Sequence, residues 1–242
     1  VETIPRKRAF RYLFVPDVAK EEIEIEAIHE SLPLTNHAAF SSDNVLLNKI
    51  WEVSVETFTL CSGLFFIDGI KRDRWIWSGD AYQSYFINQY LFFDEEINTR
   101  TMLALHGQNE IKQHMNTIVD YSILWIIAVE NHYLMTGDTV FLKQIYPKMK
   151  TMMDYLQAQT NELGFIYGRE KDWLFIDWTE MDREGTLAAE QILLLKAYQT
   201  MMTCGAVLGE VDDYEQKYQQ LKENVMSYFW DEEKQAFIDS YE

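Results

Sequence analysis

The sequence predicts a mainly α domain of helical hairpins with a short β segment ahead of it. Three patterns predict this. From about residue 43 to residue 229 apolar residues recur at helical spacing in seven stretches, and turn residues separate most of them. Ahead of them, residues 9–15 and 22–30 are β-like, the second alternating at period two.

In chain order, AFRYLFV (9–15) and EIEIEAIHE (22–30) read as strands, the second alternating Glu with Ile or Ala, with Pro16, Asp17 and Pro33 as punctuation. Ser41-Ser42-Asp43 is the capping signal for a first helix running to about Leu60, with Val45, Leu46, Ile50, Trp51 and Val53 as its apolar stripe. A boundary therefore falls between residues 33 and 42. Six further helices are expected over about 79–92, 95–112, 118–136, 139–159, 186–208 and 211–229, with Pro147 placed to kink the fifth helix in order. Phe93-Asp94, Thr136-Gly137-Asp138 and Gly209 supply breaks. The stretch 161–185, with Gly164, Gly168 and Gly185 between aromatic residues, is long for a connection in a compact domain, and such loops usually carry function. Seven helices is an odd number for a shape made of hairpins, and two strands alone cannot bury their faces, so a fragment truncated at both ends is expected.

Composition narrows the function. The chain has 242 residues, 48% of them apolar, enough to fill a substantial core. A formal charge of −18 repels phosphate backbones and anionic lipid, so nucleic acid is not an expected partner. No apolar run approaches the roughly 20 residues a membrane helix needs, so no membrane partner is expected. VETIPRKRAF is too polar for a signal peptide. Periplasmic, extracellular and cytoplasmic locations all stay open. Cys61 and Cys204 read as two buried thiols. Aromatic residues make up 14% of the chain, which suits either a well-filled helical core or a carbohydrate site where rings stack on sugar C–H faces.

The densest chemistry is DGIKRDRWIWSGD, residues 68–80, with three aspartates, three basic side chains and two tryptophans. Glycosidic hydrolysis needs one carboxylic acid on the leaving oxygen and a second carboxylate to activate water or attack. Neighbouring aspartates raise one another's pKa, Trp75 and Trp77 would desolvate them, and Lys71, Arg72 and Arg74 oppose both effects. A loop of solvated ion pairs, each contributing under about 1 kcal/mol, fits the same residues, and Ser78 reads equally as the cap of the next helix.

This stretch resembles the signature of the bacterial α-L-rhamnosidase family, inverting glycoside hydrolases with an (α/α)6 six-hairpin barrel. That signature usually has an Asp, a Cys-Pro pair, a Glu acid, a Trp and a closing Gly-Asp. FRYLFV and the strand after it resemble the end of the β-sandwich that precedes the barrel, and AFSSDNVLLNKIWEVSVETF its first helix. VDYSILWIIAVENHYLMTGDTVFLKQIYPKMKTMMDYL is similar to a helical pair of the family, and FIDW (175–178) to its Gly-Asp-Trp loop. The resemblance implies that residues 1–40 are the last strands of a β-sandwich domain and residues 41–242 the N-terminal part of a truncated barrel. It implies a rhamnose-containing oligosaccharide or glycoside as substrate, with no cofactor.

By position, the resemblance makes Asp73 the general acid. Asp68 and Arg72 would hold sugar hydroxyls, and Asp80 would do the same or tune the acid. Trp77 and Trp178 would wall the pocket for the C6 methyl of a 6-deoxy sugar, since a dry aromatic surface prefers methyl to hydroxymethyl. Asp73 is one methylene shorter than the usual Glu. The family's general base lies in a later barrel segment, beyond residue 242, and Glu180 is the nearest substitute in the loop. Ile118-Val119-Asp120 stands where many relatives have Trp-Gly-Asp. Two alternatives stay open: another six-hairpin carbohydrate enzyme, or a non-catalytic sugar-binding module. His106, His114 and His132 lack a carboxylate at ligand spacing on a shared face, so no metal is expected. Tyr121, Trp125 and Met149, Met152, Met153, Met201 and Met202 read as packing.

Overall fold

The computed structural model describes residues 3–4, 8–16, 19, 23–181 and 183–241. Among them, seven helices dominate: α1 (Val45–Cys61), α2 (Ser78–Leu91), α3 (Glu95–His106), α4 (Val119–Thr136), α5 (Thr139–Gln157), α6 (Ala188–Leu208) and α7 (Tyr214–Phe229). Two-residue strands β1 (Thr186–Leu187) and β4 (Ser240–Tyr241) pair antiparallel, as do β2 (Trp230–Asp231) and β3 (Ala236–Phe237).

Helix ends fall where side chains satisfy the free backbone groups. Asp94 caps α3 through Ile97 N–H and Asp138 caps α5 through Phe141 N–H. Gly137 and Gly209 close α4 and α6 with φ of 69° and 72°, a left-handed conformation that glycine adopts freely. Gly107, at φ 70°, ends α3 at His106, so the helix expected to reach residue 112 is shorter. Asn44, not the Ser-Ser-Asp run, caps α1, accepting from the amides of Leu46 and Leu47. Ser42 exchanges hydrogen bonds with Asn48 instead. Helix α5 runs on through Pro147.

Burial sorts the helices. In α4, 12 of 18 residues are buried, covering most of its circumference, and it lies between α2 and α6. Helix α5 buries one face, Phe141, Leu142, Ile145, Met149, Met152 and Leu156, at the i, i+3, i+4 spacing of an amphipathic outer helix. Met149, Met152, Met153 and Met201 are core, as expected, and Met202 packs against it. Trp125 is also core, its indole N–H donating to Met102 O at 2.9 Å. Both cysteines are free thiols, Cys204 buried and Cys61 half-buried. No described helix is long and apolar enough to cross a membrane.

Two segments stand apart from the core. Over residues 8–16 and 23–30 the described backbone forms no strand and is almost wholly exposed; residues 17, 18 and 20–22 lie outside the described set. An alternating sequence becomes a strand only when a partner takes its ladder bonds and one face. Likewise α1 has no buried residue: Val45, Leu46, Ile50 and Val53 are 81%, 66%, 51% and 53% exposed.

Candidate active site

The signature loop closes on itself through Asp68 and Trp75. Asp68 N–H donates to Trp75 O at 3.2 Å, and Trp75 N–H donates to the Asp68 carboxylate at 3.0 Å. Between them Arg72, Asp73 and Arg74 form an exposed tip, with Asp73 and Arg74 at φ 59° and 52°. Left-handed backbone suits Asp better than most residues, because its short side chain bonds locally. Trp75, expected to desolvate the aspartates, is 63% exposed.

After the tip the chain enters α2. Ser78, read as a cap, is its first residue and is buried; its hydroxyl donates to Tyr121 O at 2.8 Å. The cap comes from Asn116, in the turn before α4. Its side-chain oxygen accepts Ser78 N–H at 2.9 Å, and its amide donates to Ile76 O at 3.0 Å. Asn116 achieves this at φ 54°. The signature is thereby anchored to the N-terminus of the neighbouring inner helix.

Acids recur in the first turns of adjacent helices: Asp80 on α2, Asp120 on α4 and Glu190 on α6. Asp80 is exposed, and Tyr121 donates to it at 3.2 Å. Crowding by surrounding protein raises its pKa, the Tyr121 hydrogen bond opposes this, and the charges of Asp68 and Asp73 add to the rise. Tyr121 in turn is pushed up, by burial first and then by Asp80.

Asp120 is buried and its carboxylate accepts Phe175 N–H at 3.2 Å, which ties α4 to the 161–185 loop. Burial pushes it up to about 6 against the lowering effect of the Phe175 and Ile176 amides. Glu190 is fully buried and, among the described residues, neither carboxyl oxygen has a hydrogen-bond partner; burial, then the charge of Asp120, holds its pKa well above the usual carboxylate range.

The tryptophans are unequal. Trp77 is half-buried against the core and meets Tyr121 edge-on at 6.4 Å. Trp178 is 82% exposed, packed at 5.0 Å on Phe175 and 5.8 Å on Trp173. Tyr121 and Phe175, 5.8 Å apart, join the two ends into one aromatic row. Arg183 pins the loop by donating to the carbonyls of Phe175, Asp177 and Thr179. Glu180 is exposed. A pocket of about 480 Å³ opens alongside, lined by Tyr167, Asp172, Trp173 and Arg183 among others, but by none of the six predicted site residues.

The sequence reading missed Tyr121, Asn116 and Glu190. Tyr121 reads as core because its ring is core; only its hydroxyl reaches the site. Asn116 sits 38 positions from the amide it caps, beyond any local pattern. Glu190 has one visible signal, an acid in a helix's first turn, which usually marks only a favourable dipole contact.

Helices α2, α4 and α6, packed side by side with α3, α5 and α7 against them, define a domain of helical hairpins. Residues 35–238 match the bacterial α-L-rhamnosidase six-hairpin glycosidase domain, and the chain belongs to that family. It is similar to an α-L-rhamnosidase of Formosa agariphila, 24% identical over 215 residues, which cover 78% of this chain and 22% of that one. The GH78 family rhamnosidase of Bacillus sp. GL1 superposes with a TM-score of 0.76 at 25% identity, over 86% of this chain and 23% of the other. A rhamnosidase from Klebsiella oxytoca, solved with rhamnose bound, shares the fold with a TM-score of 0.71 at 20% identity, over 85% and 43%. The chain thus spans under a quarter of the first two relatives.

Proposed function

We propose that the chain supplies the acid side of an inverting glycosidase for terminal α-L-rhamnosides, working as the N-terminal part of a barrel within a longer protein. Residues 1–40 would then belong to a preceding β-sandwich. Asp73 acts as general acid on the leaving oxygen. Asp68, Arg72 and Asp80 bind sugar hydroxyls, and Trp77 with Trp178 receive the C6 methyl. The observation that carries this reading is that Tyr121 meets both chemistries of the signature, its hydroxyl donating to Asp80 at 3.2 Å and its ring meeting Trp77 edge-on at 6.4 Å. The relatives' names point the same way, two being rhamnosidases of far greater length.

The general base comes from residues outside this chain, so the chain alone turns over little. Inversion needs the two carboxyl groups roughly 6.5–9.5 Å apart, with water between.

Assay of the full-length protein on an aryl α-L-rhamnoside, with the released anomer followed by NMR, tests the reading. Asp73→Asn should lower kcat by about 10²–10⁴-fold with the fold intact. Exposure of Asp73 at a loop tip favours a second reading, sugar binding without catalysis. Binding without turnover, unchanged in Asp73→Asn, would establish that reading and end the first.

A further inference from the structure

Away from the signature, the start of α3, the body of α4 and the α4–α5 turn bring Glu95, His132 and Asp138 together. One ligand-type atom from each lies within 4.8 Å of the other two. Sequence spacing concealed this, because the three residues sit on three elements.

His132 is 1% exposed, and its Nε2 has no hydrogen-bond partner among the described residues. A buried polar nitrogen left unpaired is costly and calls for an explanation. The ring is held edge-on against Phe141 at 5.4 Å, and its Nδ1 faces the Asn98 side-chain amide at a long 3.5 Å. Asp138 uses Oδ1 to cap α5, which leaves Oδ2 out of that bond. Glu95 is exposed, giving an ion a route from solvent and a side chain free to swing inward.

We propose that Glu95, His132 and Asp138 form a binding site for a divalent transition-metal ion of the zinc type. One imidazole and two carboxylates make a mixed nitrogen–oxygen set, which suits zinc, whereas calcium and magnesium prefer oxygen alone. Two carboxylates balance the ion's charge, and water takes the fourth position. Tetrahedral zinc with bonds near 2.1 Å sets its ligands roughly 3.4 Å apart, so any pair near the 4.8 Å limit must draw together, a movement the exposed Glu95 side chain can supply. Coordination through Nε2 puts the ring proton on Nδ1 and gives up the long Asn98 contact, while Asn98 Oδ1 keeps the Asn88 amide at 2.9 Å. The ion then clamps three elements, and the site stands independently of the glycosidase reading.

Calorimetric titration of the chelator-stripped chain with zinc chloride, and separately with calcium chloride, tests this. One zinc ion per chain should bind with micromolar or tighter affinity, and calcium far more weakly. Glu95→Gln and Asp138→Asn should each weaken zinc by about 10-fold or more. Asn keeps the α5 cap, and Glu95 is exposed, so both variants should fold, as circular dichroism would verify. Cobalt in place of zinc should give visible absorption without a thiolate charge-transfer band. No zinc heat up to about 1 mM, zinc affinity unchanged in both variants, calcium binding as tight as zinc, or a thiolate band would each overturn the proposal.

Discussion

Gly79 lies directly beneath the ring of Tyr121: a Cβ added there would meet Cε1 at 2.3 Å and Cζ at 2.6 Å. The glycine of the closing Gly-Asp pair is thus required by close approach, since its neighbour Asp80 is reached by that same tyrosine. Gly79→Ala should displace the ring, break the Tyr121–Asp80 bond and destabilise the fold by about 1–3 kcal/mol. Thermal unfolding measures this. Pairing it with Tyr121→Leu should recover part of the loss, because the shorter side chain makes room; no recovery would mean that the strain lies elsewhere.

Asn116 joins two inner helices through bonds to Ser78 and Ile76. Asn116→Ala removes both and leaves a non-glycine residue at φ 54°. The cap alone is worth about 0.5–2 kcal/mol, and alanine in left-handed backbone costs about 1–2 kcal/mol more. Asn116→Gly loses the bonds without the strain, so its stability should fall between wild type and alanine. Hydrogen exchange at Ser78 N–H should speed up in both variants, and unchanged exchange would exclude Asn116 as the cap.

The Asp120 carboxyl predicts a pH dependence. Its folded pKa of about 6 lies above the unfolded value, so the native state holds the extra proton between about pH 4 and pH 6. Stability from this group is greatest below that window and falls as pH rises through it, by about 3 kcal/mol in all. Asp120→Asn keeps an acceptor for Phe175 N–H and should flatten the slope between pH 4 and 6, measured by urea unfolding. Glu190, buried with no hydrogen-bond partner among the described residues, behaves in the same direction and to higher pH. It should show a protonated-carboxyl infrared band at neutral pH that Glu190→Gln removes.

Much of this fold was legible because its helices end on local chemistry. Asp94, Asp138, Gly137 and Gly209 announce caps within a few residues of the backbone groups they serve, so α3 to α6 begin or end close to the expected positions. What depended on distant partners was not legible. The run 22–30 alternates like a strand, yet pairing is a property of two chains, and the described part has no strand partner. Asp68 and Asp80 were marked by type and spacing, whereas Tyr121 and Glu190 needed packing to show which atoms face the acids. The Glu95, His132 and Asp138 cluster lies across three elements, invisible to any single-helix pattern.

Backbone conformation accounts for aspartate at position 73. With φ at 59° for Asp73 and 52° for Arg74, the tip holds two consecutive left-handed residues, a conformation that Asp and Asn tolerate and longer or β-branched side chains resist. Stability should therefore rank Gly, Asn and Asp at this position above Glu, with Val lowest, over a spread of about 1–2 kcal/mol. Because the tip is exposed, packing contributes little and denaturant midpoints should read the backbone preference directly. Equal stability of Asp73→Val and Asp73→Gly would show that the tip is not held left-handed. In the full-length protein, Asp73→Glu separates the two demands: the added methylene restores reach toward a leaving oxygen while the backbone loses stability. Faster hydrolysis with a lower unfolding midpoint is the expected pair of outcomes, and slower hydrolysis would mean that Asp73 already reaches the leaving oxygen or takes no part in the chemistry.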